Sequence, residues 1–185
     1  MNLIFEGNAA WRIVGHFIHS SQKEYYVNDL ARALQMSPGT ASIICRRLLL
    51  SGSLLRTKSG NAVFYRLNEA NPAVKKLKAA WLLERLHAYR ASYEHEDFIS
   101  VALYGSGASG DFTRQSDIDL LVITNVPDGD VRRRLAPLIS GLKFEVSVLV
   151  RTVAQWRELA RKHDPFFLEV LSKHVILYGS GLVVG

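Results

Sequence analysis

A chain of 185 residues has room for one medium domain or two small ones, and 48% apolar with 22% charged residues is the balance of a folded globular protein rather than a disordered one. No stretch approaches the roughly 18 uninterrupted apolar residues of a membrane span. The opening Met1-Asn-Leu-Ile-Phe-Glu6 lacks the basic and apolar parts of a secretory leader, and a single cysteine, Cys45, excludes an internal disulfide and a Cys-rich metal site. The expectation is a soluble, cytoplasmic protein. Charge is uneven. Residues 1–91 carry 13 Lys+Arg against 5 Asp+Glu, net +8, and residues 92–185 carry 10 against 12, net −2. A basic half joined to a mildly acidic half suggests two modules, the first suited to a polyanionic partner.

Apolar residues at Ala10, Ile13, Val14, Phe17 and Ile18 predict a first helix over Ala9–Ile18. Asn28 is placed to cap a short second helix that buries Leu30, Ala31 and Leu34. Ser37 followed by Pro38 reads as the cap and first residue of a third helix, running to about Leu50. Its inward stripe is Ala41, Ile44, Cys45 and Leu48; Thr40, Ser42, Arg46 and Arg47 face the other way, and Gly52 suits a left-handed end. Leu54–Thr57 and Ala62–Leu67 are strand-like, joined by a turn over Lys58-Ser-Gly-Asn61.

Three helices and a hairpin make a winged helix-turn-helix. The run from Leu30-Ala through Leu34, Met36-Ser37 and Thr40 to Arg47-Leu48 and Gly52 resembles the DNA-binding domain of MarR- and ArsR-type regulators over roughly residues 8–68. Entry of the third helix into the major groove sets Ser37, Gly39, Thr40 and Ser42 toward the DNA and leaves Arg46, Arg47, Arg56 and Lys58 to neutralise phosphates. Protein docking is the competing use of such a module. Asn71-Pro72 opens a further helix, predicted over Ala73–His95, whose apolar residues would face either a second chain, as in a homodimer, or the protein's own second half.

Phe98–Tyr104 is a β-prone run leading into Gly105-Ser-Gly107-Ala-Ser-Gly110, a literal G-x-G-x-x-G. A dinucleotide fold next needs a long helix, a second strand and an acid about 20 residues further on. Here only Asp111–Ser116 separates the glycines from Asp117–Thr124, itself strand-like, so that reading fails. Asp117 and Asp119, at i and i+2, share one face of a strand; two carboxylates so close call for a cation, and hard oxygen donors suit Mg²⁺. Gly105-Ser106, at a strand-to-helix turn, offers backbone N–H groups and a hydroxyl to a phosphate.

Gly105-Ser106, ten residues, then Asp117-x-Asp119 with Ser116 before it is similar to the signature of the DNA polymerase beta-type nucleotidyltransferase superfamily, in particular its minimal group, over about residues 96–182. The resemblance implies a Mg²⁺-dependent transfer of a nucleotide from an NTP. Gly105, Ser106 and Ser116 would bind the nucleotide, and Asp117 and Asp119 the metal. Glu145, the sole acid in the strand-like run Gly141–Val150, would be the third ligand and general base. One departure stands out: Gly107 occupies the place where small members carry Arg, with Arg114 as a candidate replacement.

The expected fold class is therefore α+β in two domains: a winged helix-turn-helix over residues 1–70, a linking helix over 71–95, and a small mixed sheet flanked by helices over 96–185. Expected partners are an NTP, double-stranded DNA, a protein or RNA acceptor and a second copy of the chain. The alternative is a DNA-binding regulator or antitoxin-like protein whose transferase fold is weakly active or inactive. Arg132-Arg-Arg134 reads as the solvated side of a helix, His163 and His174 lack metal-ligand spacing, and the second Leu-Tyr-Gly-Ser-Gly at 177–181 reads as no second site.

Overall fold

The computed structural model describes residues 7–20 and 22–182; Met1–Glu6 lie outside them. The chain divides into two compact units, Met1–Glu84 and Arg85–Gly185. Each has its own sheet, and the molecule is α+β.

In the first unit α1 (Ala9–His19) is capped by Asn8, whose side chain accepts from Ala10 N at 2.8 Å, and it buries Ile13, Val14, Phe17 and Ile18. A two-residue strand, β1 (Tyr25–Tyr26), then pairs antiparallel with β3. This pairing corrects the expected cap: α2 (Val27–Ala33) starts directly after β1 with Tyr26 as its N-cap residue, and Asn28 lies inside the helix. A pairing partner some 40 residues away holds Tyr26 extended, which local capping preference at Asn28 does not override. Leu30 and Ala31 are buried as expected, whereas Leu34 is half-buried.

The third helix, α3 (Pro38–Leu50), has the predicted bounds; Ser37 Oγ accepts from Thr40 N at 3.0 Å, and Pro38 occupies the first turn. Ala41 and Cys45 are fully buried, Ile44 and Leu48 half-buried. Burial pushes the Cys45 thiol up to about 11, so it acts as a small core residue rather than a nucleophile. After Gly52 (φ +71), β2 (Leu54–Ser59) and β3 (Ala62–Leu67) form a hairpin whose turn takes a positive φ at Gly60, giving the sheet order β1-β3-β2.

The helix expected to reach His95 is shorter. α4 (Pro72–His87) stops, and a single 3₁₀ turn follows at Arg90–Ser92. The reason is tertiary. The Tyr89 ring lies against Gly141, where a Cβ would overlap it, and Tyr93 is buried. Placing both rings requires the chain to leave the helical path.

The second unit is built on a four-stranded sheet, order β6-β5-β4-β7. β4 (Phe98–Tyr104) lies antiparallel to both β5 (Ile118–Thr124) and β7 (His174–Gly179), and β6 (Val146–Arg151) runs parallel to β5. A parallel neighbour demands a crossover, and α6 (Asp128–Gly141) supplies it. Leu121 and Ile123 pack with Trp156 of α7 (Val153–Arg161) and with Phe167 and Val170 of α8 (Pro165–Ser172). Leu120 and Val122, on the opposite face, are equally buried, so β5 reads as the continuous apolar run of a strand covered on both sides. The second Leu-Tyr-Gly-Ser-Gly ends β7: Gly179 (φ +81) passes against the Ile99 carbonyl, and Ser100 Oγ donates to Ser180 O at 2.7 Å. Its glycine is there for close strand packing.

Candidate functional site

At the C-terminal end of β4 the chain turns sharply. Gly105 takes a left-handed conformation, φ +66, and starts the five-residue helix α5 (Gly105–Ser109). Two constraints fix a glycine here. The backbone angle is one that side chains rarely adopt, and a Cβ would approach Asp119 Oδ2 to 3.0 Å. The main chain of Gly105 therefore lies directly against a carboxylate. Gly107 is buried inside α5, and Gly110 (φ +82) ends the helix, its N–H donating to Ser106 O at 3.0 Å. The three glycines thus serve one turn and one helix end.

The loop back to the sheet is held by Ser116, whose hydroxyl accepts from Thr113 N at 2.9 Å. That bond closes the turn that delivers Asp117, the residue just before β5. Asp119, second in β5, pairs with Tyr104 across the β4–β5 ladder. Asp117 is exposed and Asp119 half-buried. Burial, then the Asp117 carboxylate, then Glu169 raise the Asp119 carboxyl above its ordinary range. The Tyr104 phenol is raised first by burial and then by Asp119, with Arg151 opposing. Glu169 reaches this corner on α8, whose first turn packs Phe166 edge-on against Tyr104 at 5.8 Å between ring centroids.

Carried back one step, the parallel register that pairs Ile118 with Val146 sets Glu145 level with Asp117. The Glu145 backbone carbonyl accepts from Ile118 N at 2.8 Å, which puts Glu145 beside the start of β5, but its side chain is exposed, just before β6 begins. The residue opposite Asp119 on β6 is Ser147. Among the described residues no three His, Cys, Asp or Glu side chains group closely enough to hold a metal. Beside Asp119 the register sets the Ser147 hydroxyl, and two residues earlier on the same strand face comes Glu145.

Asp117 and Asp119 fit a hard cation in one way. Mg²⁺ is commonly held by one or two carboxylates together with substrate phosphates rather than by an all-protein cage. Such a cation would relieve the crowding of Asp117 and Asp119, which adds to burial in raising the Asp119 carboxyl. Arg114, the proposed substitute for the missing basic residue, is exposed on the loop.

Glu169 was not among the sequence candidates. It lies 50 residues from Asp119 in an unremarkable amphipathic helix, and only its spacing of three from Phe166 hints that both share one face.

In the first unit, Ser37 and Thr40 bond each other through their hydroxyls at 2.8 Å in the first turn of α3, and Gly39 is exposed. Ser42, Arg46 and Arg56 line one groove between α3 and the hairpin, whereas Arg47 and Lys58 stand on exposed surface outside it. Arg132, Arg133 and Arg134 are engaged by Asp128 at 2.7 Å, Asp130 at 2.9 Å and Asp97 at 2.7 Å, so that triplet is neutralised within its own unit.

Among solved structures, the chain is similar to one described as the crystal structure of a toxin–antitoxin with AMP-PNP, at 20% identity and a TM-score of 0.37, covering 53% of this chain and 73% of that one. No curated protein matches. No helix among the described residues is long and apolar enough to cross a membrane. Residues 92–179 match the family model of the nucleotidyltransferase domain, which supports a transferase of this kind in the second unit.

Proposed function

We propose that the second unit transfers a nucleoside monophosphate from an NTP to a hydroxyl-bearing acceptor, protein or RNA, with Mg²⁺ as cofactor. The observation that carries this reading is the Gly105 main chain set against the Asp119 carboxylate, beside Asp117. A phosphate cradle and a cation-binding pair are thereby adjacent. Gly105 and Ser106 present N–H groups and a hydroxyl to the phosphates, and Asp117 and Asp119 hold the cation. A bound Mg²⁺ supplies neutralisation of the triphosphate charge. The acceptor oxygen attacks the α-phosphorus, the bond to the β-phosphate oxygen breaks, and pyrophosphate leaves with that electron pair. The acceptor's proton passes to Glu145, which is exposed beside the start of β5. Ser116 acts by holding the loop that carries Asp117.

The first unit we read as a winged helix-turn-helix that binds double-stranded DNA. α3 enters the major groove with Ser37, Gly39, Thr40 and Ser42 toward the bases, while Arg46, Arg47, Arg56 and Lys58 meet phosphates. Two copies of the chain would address two half-sites. The decisive experiment incubates the protein with each labelled NTP and Mg²⁺, with and without RNA or protein acceptors. Transfer of label that vanishes in Asp117→Ala plus Asp119→Ala supports the reading. No transfer from any NTP, with salt-sensitive duplex binding retained, favours the second reading, a regulator with a silent transferase fold. That alternative draws on Gly107 in place of Arg.

A further inference from the structure

α3 carries a stripe that the rest of its unit leaves open. Gly39, Ile43, Arg46 and Leu50 recur at helical spacing, so they share one face, and all four are exposed. The opposite face buries Ala41 and Cys45. A surface helix fills its outward face with polar side chains, yet here an isoleucine stands on that face at 55% exposure. Around it Thr40, Arg46 and Arg47 are exposed as well. Leu50 lies two turns further on, about 10 Å along the axis. Ile43 is therefore a single apolar side chain among cations and a hydroxyl, not part of a continuous apolar patch.

Gly39 is a second, independent observation. Its φ is not positive, and a Cβ added there would meet nothing closer than Ser37 Oγ at 3.8 Å. The fold does not require glycine at this place, although glycine weakens a helix. What a missing side chain allows is close approach of an outside partner to the main chain of the first turn. Ile43 is the next residue along the same stripe, so a partner that comes close at Gly39 meets Ile43.

The partner's chemistry follows from the surroundings. Residues 1–84 carry 11 Lys+Arg against 5 Asp+Glu, net +6, which favours a polyanion. The major groove of a duplex admits a helix, and the one alkyl group its base edges present there is the C5 methyl of thymine. Side chains in the N-terminal part of a recognition helix are those that reach base edges, which includes Ile43 and leaves out Leu50 at the last position.

We propose that Ile43 reads thymine, its side chain packed against the C5 methyl of one base pair in the bound duplex. The inference rests on the duplex-binding reading of the first unit. It adds the base that α3 selects and the side chain that selects it.

The test starts from the duplex that the full chain recovers from a randomised pool. Each thymine is replaced in turn by deoxyuridine, which removes only the methyl. At one position this should weaken binding by about three- to fivefold, the worth of one buried methyl-sized group. Ile43→Ala should weaken the thymine duplex at least as much and erase the difference between thymine and deoxyuridine at that position. Ile43→Val should keep part of that difference. Because Ile43 is exposed, melts of both variants should match the unaltered chain; the deoxyuridine series needs no variant and stands by itself. Affinity indifferent to deoxyuridine at every position overturns the assignment and leaves duplex binding in place. A methyl effect that persists in Ile43→Ala also overturns it, and passes the contact to another side chain such as Thr40. A pool that yields no bound duplex overturns the duplex-binding reading together with the assignment.

Discussion

The two units leave opposite charges unbalanced. In Arg85–Gly185 the three consecutive arginines of α6 are each answered by an aspartate, while Asp117 and Asp119 crowd each other with Glu169 as a further like charge. In Met1–Glu84, Asp29 pairs with Arg32 and Glu24 with Arg66 at the surface, Glu69 with the buried Lys78, and Arg46 and Arg56 face a groove. Net charge, +6 over residues 1–84 against 0 over 85–185, only hints at this. What decides a binding site is the charge the fold fails to answer, because an unanswered charge is stabilised by a ligand of opposite sign. On the proposed reading, one unit would hold a cation with its phosphates and the other the phosphates of a duplex.

The comparison breaks most visibly at the carboxylates. Asp117→Ala plus Asp119→Ala should reduce nucleotide transfer by at least roughly 10³-fold, the scale of several kcal/mol of lost charge stabilisation, and leave duplex affinity unchanged. Labelled-product assays beside duplex titrations would check both halves of that statement. A joint loss would show that the two units do not work from separate charges.

Next in size is Gly105→Ala. The left-handed φ of +66 and the 3.0 Å approach to Asp119 Oδ2 predict a destabilisation of about 1–3 kcal/mol, together with loss of transfer. Gly60→Ala also sits at positive φ but meets nothing within 4 Å, so it should carry only the backbone cost. Thermal melts of the two variants side by side measure the difference, and equal losses would remove the steric role assigned to Asp119.

The electrostatic origin of the Asp119 shift can be read from pH. Its carboxyl is raised in the folded state, so the fold favours the neutral form; the associated stability is present at low pH and lost as pH rises through the folded value. Without Mg²⁺, Asp119→Asn should therefore melt higher than the unaltered chain at neutral pH. The gap should close on acidification through the carboxylate range. A gap that is constant with pH would assign the difference to packing.

The smallest effects separate answered from unanswered arginines. Arg47→Gln should lower the slope of log affinity for duplex against log salt by about 0.9, one phosphate's worth. Arg133→Gln removes a highly exposed pair with Asp130 and should alter stability by less than about 0.5 kcal/mol, with no effect on that slope. Equal slopes for all three proteins would place duplex contacts elsewhere than on α3.

Much of this was legible locally. Ser37-Pro38 places the start of α3 because the cap and the fixed proline φ act within one turn. Ten residues between Gly105-Ser106 and Asp117 leave room for a short helix and a return loop but not a dinucleotide crossover. Phe98–Tyr104 and Ile118–Thr124 read as strands by their apolar run, since both of their faces are covered. The misplaced features share one trait. The start of α2 depends on β1 pairing with β3, and the end of α4 on Tyr89 meeting Gly141.

By itself, then, the sequence determined the helix ends that are capped locally, the order of most elements, the glycine turn and the presence of two aspartates on one strand face, because backbone preference and side-chain period act over a few residues. Only tertiary structure decided which acid joins the pair's surroundings, why Gly105 must be glycine, and that Arg46 and Arg56 share a groove. Those outcomes depend on strand register and on contacts between residues far apart in the chain, where a shift of one position turns a side chain to the opposite face of its sheet.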